Sequence, residues 1–234
     1  MGWTFSSALT PALQRAYGWV GMLLWAHGFP PAAPVVTELG HIALIIGGAL
    51  AVPLFMLEAA AGRAANALTR LFLGVGGVLV SHTVISWLWQ LNGALVATIA
   101  QVAGAEPVPS PGFGGSLLDL LVFGLPYLLM LVCLAGLLLA RLAALALLSA
   151  VAPIAVLGGI HRSFARLPAL WLWQLAAWSI LPAAEAFVLV AVRGLAGELS
   201  IAVPASDMLL SLVLLFFMLR LPFTLLGVGR RLVP

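Results

Sequence analysis

Long apolar runs broken by short polar or proline-rich stretches set the pattern of this chain, and five of them reach the length of a membrane span. Residues 35–60, 71–90, 117–140, 167–191 and 205–226 are each dominated by Leu, Val, Ile, Ala and Phe. A helix of about 20 such residues crosses the roughly 30 Å hydrocarbon core of a bilayer. The pattern predicts an all-α, polytopic transmembrane helical protein, with residues 1–34 as an N-terminal interfacial segment and 35–234 as the transmembrane helical domain. The apolar piece from Tyr17 to Ala26 is too short to span. Arg15 before it and Trp3, Trp19 and Trp25 around it suit an amphipathic helix lying in the interface.

The breaks are as informative as the runs. Gly62 to Thr69 reads as a short polar turn carrying Arg63, with Arg70 opening the second span, and Gly104 to Ser116 reads as a loop because its prolines and glycines exclude regular structure. The run from Leu117 to Ile160 holds only Asp119 and Arg141 as charges. As one straight helix it would reach about 65 Å at 1.5 Å per residue, twice the hydrocarbon thickness. It must kink, tilt, leave the bilayer or turn back, with Pro153 the obvious break and Gly158–Gly159 a second soft point. One crossing to about residue 140, followed by a kinked or re-entrant segment near 142–160, competes with a hairpin that crosses twice.

Charge placement chooses between them. Lys and Arg favour the cytoplasmic side of a membrane protein. Placing Arg63 and Arg70, Arg162 and Arg166, and Arg230 and Arg231 on that side leaves Arg15 and Arg193 as the main exceptions. The single crossing satisfies this; the hairpin would put Arg162 and Arg166 outside. The expected topology is five spans with the N-terminus outside and the C-terminus cytoplasmic.

Composition narrows the class further. The 234 residues are 64% hydrophobic and 7% charged, with a mean hydropathy of +1.20, against about 25% charged residues in a soluble domain. All ten basic residues are Arg, and the net charge of +3 is scattered at the ends of apolar runs, where it cannot form a nucleic-acid-binding surface. The single cysteine, Cys133, closes no internal disulfide.

Candidate chemistry is sparse. Glu38 and His41, three residues apart, could form half of a metal site, but no further ligand cluster accompanies them. His82, between Ser81 and Thr83, reads as a hydrogen-bonded helix histidine rather than a proton relay. There is no HExxH, no GxSxG, no P-loop and no carboxylate pair at a common depth, which leaves nothing from which to build an enzyme. No cofactor is expected. The charged and polar residues inside the runs remain: Arg141, Gln174 and Glu185, each costly near the bilayer centre unless paired or wet. Gln174 and Glu185 project onto nearly one helix face, and Arg141 is the natural counter-charge, within or between subunits. Pro153 and Pro182 are the expected kinks. The string WLWQL occurs at 87–91 and again at 171–175, the first copy expected at the outer end of its helix and the second at the inner end.

One ordered stretch carries a family resemblance. Arg141 in an apolar helix is followed by Ala152-Pro153-Ile154-Ala155, a basic turn from His161 to Arg166, and a Trp-rich helix with Trp171, Trp173 and Gln174. This resembles the core of the TrbL/VirB6 family, polytopic inner-membrane proteins of bacterial type IV secretion and conjugation systems, where an arginine-bearing helix runs through an "APLA"-like step into a charged turn and an "LWxR/LWxQ" helix. The looser match runs from about residue 68 to 225. The resemblance implies five spans and a ring-like homo-oligomer. It also implies contact with other membrane subunits, with pilin and with separate ATPases, in conjugative DNA transfer or pilus assembly. Nucleic acid would enter only as transported cargo, and lipids as surroundings. The alternative is a small-solute or ion transporter or channel.

Overall fold

The structure, a computed structural model, describes residues 34–103, 120–199 and 204–232 and several helical positions between 11 and 23. It is all-α, and the described residues include no strand. Five long helices follow one another: α1 (Pro34–Ala60), α2 (Ala64–Ala103), α3 (Leu125–Gly158, entered through a π-helical turn at Leu120–Gly124), α4 (Leu167–Leu199) and α5 (Pro204–Leu232). Each contains a stretch long and apolar enough to cross a membrane: Val36–Ala60, Ala64–Ile99, Leu121–Gly158, Arg162–Val188 and Leu209–Gly227. This is a multi-pass membrane architecture. The expected loop at 104–116 lies outside the described residues.

Three expectations about the breaks need correction. The polar turn is shorter than 62–69, because the helix resumes at Ala64 and Arg70 lies inside it rather than at its start. Alanine-rich sequence restarts a helix at once, so only Ala61 to Arg63 remain for the turn. The segment 142–160, expected as kinked or re-entrant and set apart from the span before it, instead continues α3 without a break to Gly158, with Pro153 inside it. Proline removes one intrahelical hydrogen bond, and the apolar turns on either side keep the helix going. His82 is not the hydrogen-bonded helix histidine expected; it is exposed and has no partner among the described residues.

The α1–α2 turn is a Schellman motif, the standard way a helix satisfies its last carbonyls. Gly62 takes the left-handed conformation at φ 76°. Its N–H donates to the Ala59 carbonyl at 3.0 Å, and the Arg63 N–H donates back to Glu58 at 3.0 Å. Only glycine occupies that conformation without strain. The α3–α4 hinge is tighter still. Three i→i−3 bonds close the end of α3, then a 3-10 turn at Arg162–Phe164 leads into α4.

Contacts divide the chain into two compact units, one of residues 1–27, 92–141 and 180–223 and the other of residues 28–91, 142–179 and 224–234. In the first, Ala16 and Val20 pack with Tyr127, Leu131, Leu134 and Leu138 of α3 and with Leu214, Leu215 and Met218 of α5. The four-and-three spacing along α3 is the apolar stripe of a helix with one buried face. In the second unit, Ala51, Leu157 and Ile160 form one core, and Ile85, Leu145, Ala152 and Leu175 form another, flanked by Trp89, Trp171 and Trp178. Trp89 of the first WLWQL copy and Trp171 and Leu175 of the second therefore contribute to one core.

Small residues set the helix spacing in that unit. A Cβ on Gly47 would lie 3.2 Å from the Pro153 carbonyl oxygen and 3.1 Å from Leu157, whereas Gly48 faces open space. Gly74 and Gly77 approach Leu157 and Val156 in the same way, and Gly76 does not. Such close backbone approach is the usual source of helix association where water supplies no hydrophobic drive.

Candidate functional site

Two groups of polar residues stand out, one at the turns and one deep in the apolar helices. The first is built on Glu58, the third-last residue of α1. In a Schellman motif the side chains at the third-last helical position and at the second residue past the cap lie together. Those positions are Glu58 and Arg63, and the Arg63 Nε donates to Glu58 Oε2 at 2.6 Å. The other carboxylate oxygen accepts the backbone N–H of Arg162 at 2.9 Å, across 104 residues of sequence. His161 completes the group: its Nδ1 accepts the Ser163 N–H at 3.2 Å, so the ring proton sits on Nε2, 3.7 Å from Glu58 Oε1. Glu58 is almost fully buried, while Arg63 remains half exposed.

This strap ties the α1–α2 turn to the α3–α4 hinge, so both lie at the same end of their unit. Within residues 117–160, α3 is one unbroken helix from Leu125 to Gly158, which leaves no turn there for the hairpin alternative. Sequence reading placed Arg63 and Arg162 on one side by charge but missed Glu58. Its signal was present: a glutamate four residues before a helix-ending glycine that is followed by arginine.

Arg63, Arg70, Arg162 and Arg166 gather around this end. The guanidiniums of Arg162 and Arg166 are exposed, and Arg70 is half-buried in the second turn of α2. Arg230 and Arg231 fall in the final turn of α5.

The second group lies in the unit that holds the α3–α5 core. Arg141 on α3 and Glu185 on α4 are both essentially fully buried, and each charge acts on the other. Neither Glu185 oxygen accepts a hydrogen bond from a described residue. The two residues expected to be counter-charges thus act on each other within a single chain. Pro182, one turn before Glu185, is buried in an unbroken α4. Gln174 is half-buried three helical turns before Glu185, on nearly the same face. Near Pro153, the Trp171 indole N–H donates to the Leu148 carbonyl at 2.8 Å, on the turn that the proline loosens.

His41 and His82, treated separately in the sequence, line one cleft of about 240 Å³ together with Thr37, Ser81 and Ser149. No group of three or more His, Cys, Asp or Glu that would hold a metal occurs among the described residues. Comparison with known proteins finds no matching family model, no matching curated protein and no matching solved structure.

Proposed function

We propose that this protein is a scaffold and channel subunit of a type IV secretion or conjugation apparatus in the bacterial inner membrane, with its N-terminus outside and its C-terminus cytoplasmic. The observation that carries this reading is the folding of the resembling stretch as two helices joined by one basic hinge. The arginine-bearing helix, its Ala152-to-Ala155 step, the basic hinge and the Trp-rich helix close on one another through Trp171 and Leu148. Sparse burial in the second span, 11% of its most apolar window against 33% in the third, agrees with helices that meet neighbouring subunits. The chain then acts by holding a passage and partners in place, with other copies, further membrane subunits and pilin around it and separate ATPases supplying energy.

The test is cryo-electron microscopy of the protein released gently from its own membranes. A symmetric ring carrying pilin-like or ATPase chains supports the proposal. An isolated monomer with a closed cavity and no secretion partners refutes it and moves the assignment to an ion or solute transporter. The fully buried Glu185, without a hydrogen-bond donor, is the observation that favours that second reading.

A further inference from the structure

A cleft of about 400 Å³ opens beside the α3–α4 hinge, lined by Arg70, Leu73, Gly74, Val156, Gly159, Ala165 and Pro168. Its size lies within the range of small-molecule sites, about 300–1,000 Å³. Among the described residues, Arg70 is the one polar side chain in the wall and has no acidic or hydrogen-bonding partner. We infer that this cleft holds the phosphodiester headgroup of an anionic phospholipid, with Arg70 as its cationic contact.

Three features select that ligand. The first is charge. Glu58 occupies Arg63, but Arg70, Arg162 and Arg166 at the same end have no carboxylate partner among the described residues, which leaves a field that attracts anions to the membrane surface. The second is depth. Arg70 lies seven residues, about 10 Å, along α2 from the turn at Arg63. A headgroup layer is about 6 Å thick, so with the turn at the water edge the Arg70 backbone lies just below the headgroups and its long side chain reaches back to a phosphate there. The third is lining. A soluble phosphate or nucleotide would be desolvated against Leu73, Val156 and Pro168 with one cation to repay it. A lipid places its phosphate on Arg70 and its glycerol and upper acyl carbons on those same apolar groups.

Glycine shapes the cleft. A Cβ on Gly159 would meet Pro168 at 2.6 Å, and one on Gly74 would meet Leu157 at 3.4 Å. The two glycines therefore let the Pro168 and Leu157 side chains pack directly onto backbone beside the cleft.

The experiment is thermal unfolding of the full-length, delipidated protein in detergent, with phosphatidylglycerol, phosphatidylcholine or inorganic phosphate added over a concentration series. Phosphatidylglycerol is expected to raise the midpoint where phosphatidylcholine and inorganic phosphate do not. Arg70→Gln should weaken the response by about tenfold in lipid concentration, the loss of one charge-assisted contact, and Arg70→Lys should restore much of it. Should Arg70→Gln fail to fold, Leu73→Trp tests the same point by filling the cleft from an exposed position while keeping the charge. Arg166→Gln, outside the lining, should respond to lipid like the native chain. An unchanged response in Arg70→Gln or Leu73→Trp overturns the inference. So does an equal loss in Arg166→Gln, which would assign the effect to the general surface field. A response to inorganic phosphate alone would make this a free-anion site and overturn the lipid assignment.

Discussion

Gly47 and Gly48 are adjacent on α1 and differ only in what they face, so one substitution at each isolates the helix–helix contact from helix propensity. Alanine in a helix is better than glycine by about 0.8–1.0 kcal/mol. At Gly48 nothing lies within 4 Å of the new methyl, and Gly48→Ala should gain that amount, raising the midpoint by about 2–4 °C for a chain of this size. At Gly47 the methyl would stand 3.2 Å from the Pro153 carbonyl oxygen and 3.3 Å from its carbonyl carbon. Backbone yields less readily than a side-chain tip, and overpacking of this kind costs about 1–3 kcal/mol. Gly47→Ala should therefore fall below Gly48→Ala by about 2 kcal/mol, or roughly 4–8 °C in midpoint. The assay is thermal unfolding of both full-length variants in one detergent, followed by far-UV circular dichroism and tryptophan emission. Midpoints that agree to within about 1 °C would refute the claim that α1 is seated on α3 through backbone contact at Gly47.

Further outcomes follow from the polar groups. Arg141→Leu or Glu185→Leu alone should destabilise by about 3–5 kcal/mol, because each leaves an uncompensated buried charge, and the double variant should recover most of the loss; a double variant as unstable as the sum of the singles would show that the two charges do not compensate one another. Glu58→Ala should lower the unfolding midpoint more than Arg63→Gln, since the first removes acceptors from both the Arg63 and Arg162 donors and the second only a half-exposed cation; equal effects would discount the hinge bond. In a Cys133→Ala background, Ala61→Cys and Ser163→Cys should react with an impermeant maleimide from the same side of sealed vesicles, the cytoplasmic side under the proposed orientation. Labelling from opposite sides would contradict the Glu58 strap that holds the two turns at one end of their unit.

The spans were legible because hydrocarbon imposes one requirement, a long apolar helix, that hydropathy reports directly. Arg141 and Glu185 were legible for the same reason, as isolated charges in apolar runs. Three things were not. Whether α3 breaks at Pro153 depends on whether neighbouring turns hold the helix, and apolar composition is silent on that. Which glycine of a pair makes contact depends on the rotation of the helix about its axis, so Gly47 and Gly48 look alike until α3 is in place. The role of Glu58 needed both a local cap and a partner 104 residues away. The first half of that was readable in Glu58, Gly62 and Arg63, the second was not. The half-metal site suggested by Glu38 and His41 gained no third ligand among the described residues, and His41 instead shares a cleft with His82.

The two oxygens of Glu58 are satisfied at different times as the chain is made. Arg63 follows within five residues, so the first helical hairpin can leave the insertion machinery with one oxygen already bonded. The other must wait for Arg162, which at about 5–20 residues per second is made between 5 and 20 seconds later. Until then the carboxylate faces whatever the membrane surface provides, water, a headgroup or an insertase, and a chain arrested before the hinge carries that open acceptor permanently. Arrival of the hinge closes it, giving the cell's quality control a chemical difference between finished and unfinished molecules.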